Sequence, residues 1–317
     1  MEHIADLLHY GTIALAVGIN SAGVGIGEGI SGTAALEAMN IQPSARADIA
    51  KTAILGMALG ETAAFIGVSV AAMLLFSTIE PHTLYIGIAE IGIALAVCIP
   101  GFFIGVISAL PAQQACLSIA RQPFFSKKIL YFMIINQSIL QTPIIFGFII
   151  AMFIKGQMPC VSTYPESLRL LATGLCIGIG SIGPSVGLGI FARAACKNIS
   201  INRRAYDQLF SFVIVSQALI ETPMVFALTI SVLLAFSSYA LTPLLGVAYL
   251  CAGMCMAIGT LGSGISSGLT AAAACKQIAF NTDNSSDISR TSIMAQGLID
   301  TSAIYTFIIA CALIFWH

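Results

Sequence analysis

Charge is what this chain of 317 residues has least of: Asp, Glu, Lys and Arg together make up 9% of it, where a soluble protein carries about a quarter. That scarcity, with a mean hydropathy of +0.96, excludes a water-facing globule and places the chain in lipid. A net charge of −1 gives no reason to expect a nucleic-acid partner. Histidine is nearly absent, and His3, His9, His82 and His317 fall at the termini or in a linker, which argues against a histidine-based metal or nucleophile site. The nine cysteines form no CxxC pair. Cys251 and Cys255 stand one helical turn apart in an apolar run, and Cys116, Cys196 and Cys275 share one repeat position, so packing is the expected role of both groups. The first ten residues, MEHIADLLHY, have no basic stretch and no small-residue cleavage site, so they are read as mature sequence. The glycine runs have no preceding strand and no following GK[ST], which excludes a nucleotide loop.

What is there is a carboxylate inside an apolar stretch. Residues 54–68 read ILGMALGETAAFIGV, with Glu61 in the middle. A charge at the centre of a membrane helix costs ~2.5–3.5 kcal/mol on insertion scales, so one kept there is read as functional. The stretch recurs as LQTPIIFG at 140–147, IETPMVFA at 220–227 and IDTSAIYT at 299–306. The anchors Glu61, Gln141, Glu221 and Asp300 are 80, 80 and 79 residues apart, and each is followed by threonine. A second mark precedes each anchor: GVGIGEGISG at 23–32, a weaker form at 101–112, GSIGPSVGLG at 180–189 and GTLGSGISSG at 259–268. Small residues so spaced let helix backbones approach closely in a membrane.

Each unit therefore reads as a hairpin of two membrane helices. The fold class is all-α and membrane-embedded, with eight transmembrane helices in four tandem hairpins: 1–80, 81–160, 161–240 and 241–317. The expected spans are 9–39 and 50–77, 85–119 and 127–154, 167–197 and 206–236, and 244–276 and 290–315. All exceed the ~20 residues that cross the hydrocarbon core. Arg46, Lys51, Arg121, Lys127, Lys128, Arg193, Lys197, Arg203, Arg204, Lys276 and Arg290 flank the hairpin loops, whereas Lys155 and Arg169 alone lie at the other ends. That bias predicts cytoplasmic loops, with both termini on the opposite side.

A glycine-rich first helix, a polar loop and a second helix with one buried carboxylate resemble the proteolipids of rotary ATPases. The chain is similar to the ring-forming proteolipid of F-type ATP synthases, their c subunit, with four hairpins fused. The loop Arg121-Gln122-Pro123 resembles that family's Arg-Gln-Pro loop; Gln42-Pro43 lacks the arginine, and the later units have Lys197-Asn198 and Lys276-Gln277 nearby. The resemblance implies that these loops meet central-stalk subunits. It also implies that Glu61, Glu221 and Asp300 bind the transported ion, H+ or Na+, while Gln141, with Thr142 and Ser108, marks a silent hairpin. Glu28, Ser108, Leu188 and Ser267 stand where sodium-binding relatives place a first-helix glutamine. Glu28 with Glu61 resembles a two-carboxylate sodium site, with Thr62 adding an oxygen. Asp300, Thr301, Ser302 and Tyr305, with Ser267 opposite, resemble the sodium-type acid, paired hydroxyls and orienting tyrosine. Glu221 and Thr222 face Leu188, Pro223 and Phe226, a set suited to a proton and short of ligands for sodium. The choice of ion stays open.

The implied function is that of a rotor-ring subunit. Several copies form a homo-oligomeric ring in lipid, and each carboxylate exchanges its ion with a stator protein, the a subunit, whose arginine forces release. No cofactor is implied, and ATP chemistry belongs to other subunits, so the chain is not an enzyme alone. The alternatives are a V-type-like proteolipid and a non-rotary pore or packing protein. Two bland readings accompany these. Threonine hydroxyls often bond back to their own helix, above all at Thr142. Glu90, which has no counterpart in the other units, is expected at the interface or facing a pore, without a transport role.

Overall fold

The computed structural model describes residues 2–77, 83–237 and 242–316; His82 and His317 lie outside them. Eight helices are long and apolar enough to cross a membrane: α1 (His3–Ile41), α2 (Pro43–Leu75), α3 (Leu84–Arg121), α4 (Pro123–Cys160), α5 (Tyr164–Ile199), α6 (Arg203–Phe236), α7 (Pro243–Phe280) and α8 (Ser285–Phe315). Most run several residues past the expected spans, because the polar residues at their loop ends continue the helix. Three of the first helices are capped by the threonine that precedes them. The Thr83 and Thr242 hydroxyls accept from Ile86 N and Leu245 N, both at 3.3 Å. At α5, Glu166 closes a capping box by accepting from Thr163 N at 2.9 Å.

The helices form two rows. Helices α1, α3, α5 and α7 pack side by side in one row; α2, α4 and α6 lie in the grooves between consecutive members of that row, and α8 packs on α7. Apolar burial cannot drive helices together in lipid, so close backbone approach must. Gly105 on α3 shows how close: an added Cβ would come within 2.6 Å of Val24 N on α1. Gly183 on α5 repeats this against Leu261 Cα of α7, at 2.7 Å. The end helices are different. Only 28% of the apolar stretch of α1 and 22% of that of α8 are buried, against 67% for α3 and 72% for α5. Gly11, Gly18, Gly25 and Gly29 on the free face of α1 have nothing within 4 Å.

The four loops share one backbone turn. Gln42, Gln122, Asn202 and Asn281 precede the second helices with φ of −130°, −136°, −136° and −134°. The loop equivalents in the third and fourth hairpins are therefore Asn202 and Asn281. Lys197-Asn198 and Lys276-Gln277, nearby in sequence, lie within helices. Neighbouring loops are tied together: the Gln122 amide donates to Ser200 O and accepts from Arg203 Nε, and Asn202 Nδ2 donates to Ala279 O at 3.0 Å.

Glu90 is packed inside the protein and does not face a pore. It is 1% exposed, and its carboxylate lies 2.8 Å from His9 Nδ1 on α1. Lys155 on α4, with a buried Nζ that makes no hydrogen bond, adds an electrostatic attraction to Glu90. The 80-residue register gave no sign of this pairing, because none of the three residues recurs in it. Arg169, the other basic residue at this end, donates to Ala235 O at 3.1 Å and to Ser237 O, closing the last turn of α6.

Truncating one partner of a buried hydrogen bond leaves the other unsatisfied, at a cost of about 1–3 kcal/mol. Glu90→Ala is expected to destabilise the first two hairpins by that order. His9→Leu combined with Glu90→Leu should cost less than the sum of the single changes. Unfolding of the purified chain in mixed detergent and SDS micelles measures both.

Candidate ion-carrying sites

The four anchors sit at mid-helix, where the regular helix is interrupted in two of the outer helices. The break in α2 falls at Glu61 and that in α4 at Leu140 and Gln141. In α4 the break precedes Pro143, which has no N–H to give Ile139 O. The Thr142 hydroxyl takes its place and donates to Ile139 O at 2.7 Å. The other threonines do the same, Thr62 to Leu59 O, Thr222 to Ala218 O at 3.2 Å and Thr301 to Leu298 O at 2.6 Å. Back-bonding is thus common to all four hydroxyls. It fixes each oxygen while leaving its lone pairs directed off the helix.

The structure brings some of the expected residues together across hairpins rather than within them. Gln141 is buried and its Nε2 donates to Leu59 O of the first hairpin at 3.1 Å. The Glu221 carboxylate meets the Thr142 hydroxyl, one hairpin back. Its own Thr222 is turned to the helix backbone. The acid of the third hairpin and the threonine of the second therefore meet at one site. Sequence reasoning assigned each threonine to the acid beside it, since adjacency in the chain carries no sign of what a neighbouring helix presents.

Glu28 and Glu61 do meet within one hairpin. Glu28 is half-buried on α1 and its carboxyl hydrogen-bonds with that of Glu61. Glu61 itself is exposed, on the free edge of the two rows. A crevice lined by Val24, Gly27, Glu28, Gly60 and Ser108 runs beside the pair. Two carboxyls in such contact share a proton or a cation between them.

The fourth hairpin is arranged differently from expectation. Asp300 is 5% exposed and its Oδ1 is buried without a hydrogen-bond partner. Ser267 does not reach it: the Ser267 hydroxyl donates to Gln296 Oε1 at 3.3 Å, one turn away. The Ser302 hydroxyl donates to Ile299 O at 2.9 Å. Tyr305 is 67% exposed and makes no hydrogen bond to Asp300. Its ring points away because α8 has no further helix on that side to pack against. Ser108 likewise turns from Gln141, donating to Gly105 O at 3.3 Å while its carbonyl accepts from Gln137 Nε2 at 2.8 Å. Leu188 is fully buried.

One layer was not anticipated. Glutamines at 137, 217 and 296 stand four residues before their anchors, and Met57 takes that place in the first hairpin. Their amide nitrogens bridge to the preceding hairpin: Gln137 to Gly56 O at 2.7 Å, Gln217 to Asn136 Oδ1 at 3.0 Å and Gln296 to Ser216 Oγ at 3.3 Å. The signal that could have found them is a glutamine recurring one turn before the anchor in three of the four units.

Comparison with known proteins is consistent in register. The profile of the ATP synthase C-subunit family matches residues 12–74, 171–234 and 250–313, more than half of the chain. Those ranges leave out the hairpin bearing Gln141. An ATP synthase c subunit of Dehalococcoides mccartyi is 41% identical over 71 residues, 22% of this chain and 93% of that relative. One from Chloroflexus aurantiacus is 35% identical over the same shares, and one from Mycoplasma mobile is 39% identical over 70 residues, 21% of this chain and 71% of the relative. Each relative is matched along a little less than one hairpin's length.

Proposed function

The chain belongs to the ATP synthase C-subunit family, and on that premise we propose that it is the proton-carrying rotor subunit of an F-type ATP synthase. Family membership and eight membrane-compatible helices make it an integral, multi-pass membrane-sector component. The observation that carries the finer reading is the set of mid-helix acids Glu61, Glu221 and Asp300 in one register, with Gln141 as the fourth member. A packing protein has no use for three such acids.

In this reading the hairpins 1–80, 81–160, 161–240 and 241–317 are four consecutive sectors of a ring, and further copies of the chain complete it. The open glycine face of α1 and the exposed position of Glu61 suit a second copy's last hairpin. The basic flanks put the loops with Gln42, Pro43, Arg121, Gln122 and Pro123 on the cytoplasmic side, against the central stalk. The stator's a subunit supplies two half-channels and the arginine that displaces the proton. Between them each acid crosses lipid neutral, because an ionised carboxylate in hydrocarbon would halt rotation.

One stator passes one ion species, so the site poorest in ligands decides which. That site is Glu221, with Thr142 on one side and Leu188 and Pro223 on the others. Sodium needs several oxygens in place of water, whereas a carboxyl needs only one proton. The oxygen-rich sets Glu28, Glu61, Thr62 and Asp300, Thr301, Ser302 are compatible with protons as well. Gln141 acts as a permanent replica of the loaded acid: its amide N–H donates to Leu59 O, as a protonated carboxyl would, and never ionises.

In the reconstituted synthase, Glu221→Gln should abolish ion-driven ATP synthesis while Gln141→Leu retains most of it. The ion-to-ATP ratio should count three ions per chain. Sodium should give no protection against carbodiimide at Glu61, Glu221 or Asp300; protection at all three would replace the proton with sodium. Survival of ATP synthesis in Glu221→Gln would refute the rotor role of that acid.

A further inference from the structure

Gln217 stands one helical turn before Glu221 on α6. Four-residue spacing puts both side chains on one face, and helical side chains lean toward the N-terminus, so the Glu221 carboxyl leans over Gln217. Gln217 is fully buried. Its amide has a fixed sense. Asn136 Nδ2 donates to Phe132 O at 2.7 Å, which leaves Asn136 Oδ1 facing Gln217 as an acceptor, and Gln217 Nε2 donates to it at 3.0 Å. The Gln217 oxygen is thereby turned away from Asn136. It is buried and accepts no hydrogen bond, and Glu221 Oε1 is likewise buried and unpartnered.

Two acceptors cannot satisfy each other while Glu221 is ionised. Once the acid is loaded, one of its oxygens becomes a donor. The Thr142 hydroxyl already gives its one proton to Ile139 O, whereas Gln217 Oε1 has no donor at all. Among the described residues, no other titratable or charged side chain on α4, α5, α7 or α8 acts on Glu221; Thr142 is its one polar partner. The fourth hairpin provides the contrast, because Gln296 Oε1 is taken by Ser267.

Resting on the reading of Glu221 as a proton carrier, we propose that Gln217 is a positioning residue that holds the loaded form. Its amide oxygen accepts the carboxyl proton of Glu221, and Asn136 keeps the amide turned for that purpose. The negative end of the amide dipole then opposes ionisation until the acid reaches the stator. No bond is broken beyond the transfer of the proton itself between Glu221 and the half-channels.

The test uses the intact synthase, labelled with a hydrophobic carbodiimide over a pH series, with Glu221 and Asp300 quantified separately by peptide mass spectrometry. Gln217→Met keeps the length of the side chain without its amide. Asn136→Leu leaves Gln217 in place and frees its amide to turn, so it gives an independent reading if the first variant fails to assemble. Both should lower the pH of half-labelling at Glu221 by about one unit, a tenfold loss of proton affinity, with Asp300 unchanged. An unmoved midpoint at Glu221, or equal shifts at both acids, would overturn the role of Gln217 while leaving Glu221 as the carrier. Failure of Glu221 to label in the unaltered synthase at any pH would overturn both.

Discussion

A carboxyl group can face hydrocarbon only when it is neutral, and every other feature of this chain answers to that limit. The acid must sit deep enough to be shielded and still be reachable, so it is placed at mid-helix in the outer row, beside polar neighbours. Those neighbours are backbone carbonyls, threonine hydroxyls, amides and, at Glu61, the Glu28 carboxyl. None carries a fixed positive charge, so none locks the acid in the ionised state as a lysine or arginine would. Where other ionisable side chains do occur in the apolar region they stand apart, near the opposite helix ends. His9, Glu90 and Lys155 are arranged there as a cluster across the first two hairpins.

The same limit explains the glycines. A site shared between two hairpins works only if the hairpins cannot drift, and lipid supplies no apolar driving force to hold them. Contact at backbone level between α1, α3, α5 and α7 replaces it. The amide bridges from Gln137, Gln217 and Gln296 then set the register of the outer row, one turn from the acids. Packing in the inner row positions the outer row, and the outer row composes the sites.

How much of this could be read from the chain follows from which signals repeat. Helices, hairpins and the anchors Glu61, Gln141, Glu221 and Asp300 were legible because composition and an 80-residue register each encode them directly. The contact of Thr142 with Glu221 was not, since it depends on which face of one outer helix meets the next. Asn202 and Asn281 were missed because the loop was sought by its Arg-Gln-Pro letters, while what persists is an extended turn near φ −135° that several residues adopt. Ser267 lies away from Asp300 for a related reason: a motif implies partners, and here Gln296 takes the serine, while Tyr305 lies on the open side of α8.

Replacing one acid in four by glutamine alters work per turn without altering shape. Glutamine matches glutamate in size and supplies the N–H that a loaded carboxyl would supply, so the hairpin bearing Gln141 packs as its neighbours do. Thr142 still reaches Glu221, so that hairpin contributes a side chain to its neighbour's acid while its own glutamine has nothing to ionise. In a rotor this arrangement lowers the ions moved per revolution while keeping the circumference. Each ATP then demands a larger electrochemical force, and fewer protons are drawn across the membrane for it. Fusion of the hairpins into one chain is what makes such a ratio possible. With separate identical subunits every position would hold the same residue, whereas here the order of acids and glutamine around the arc is written into the chain.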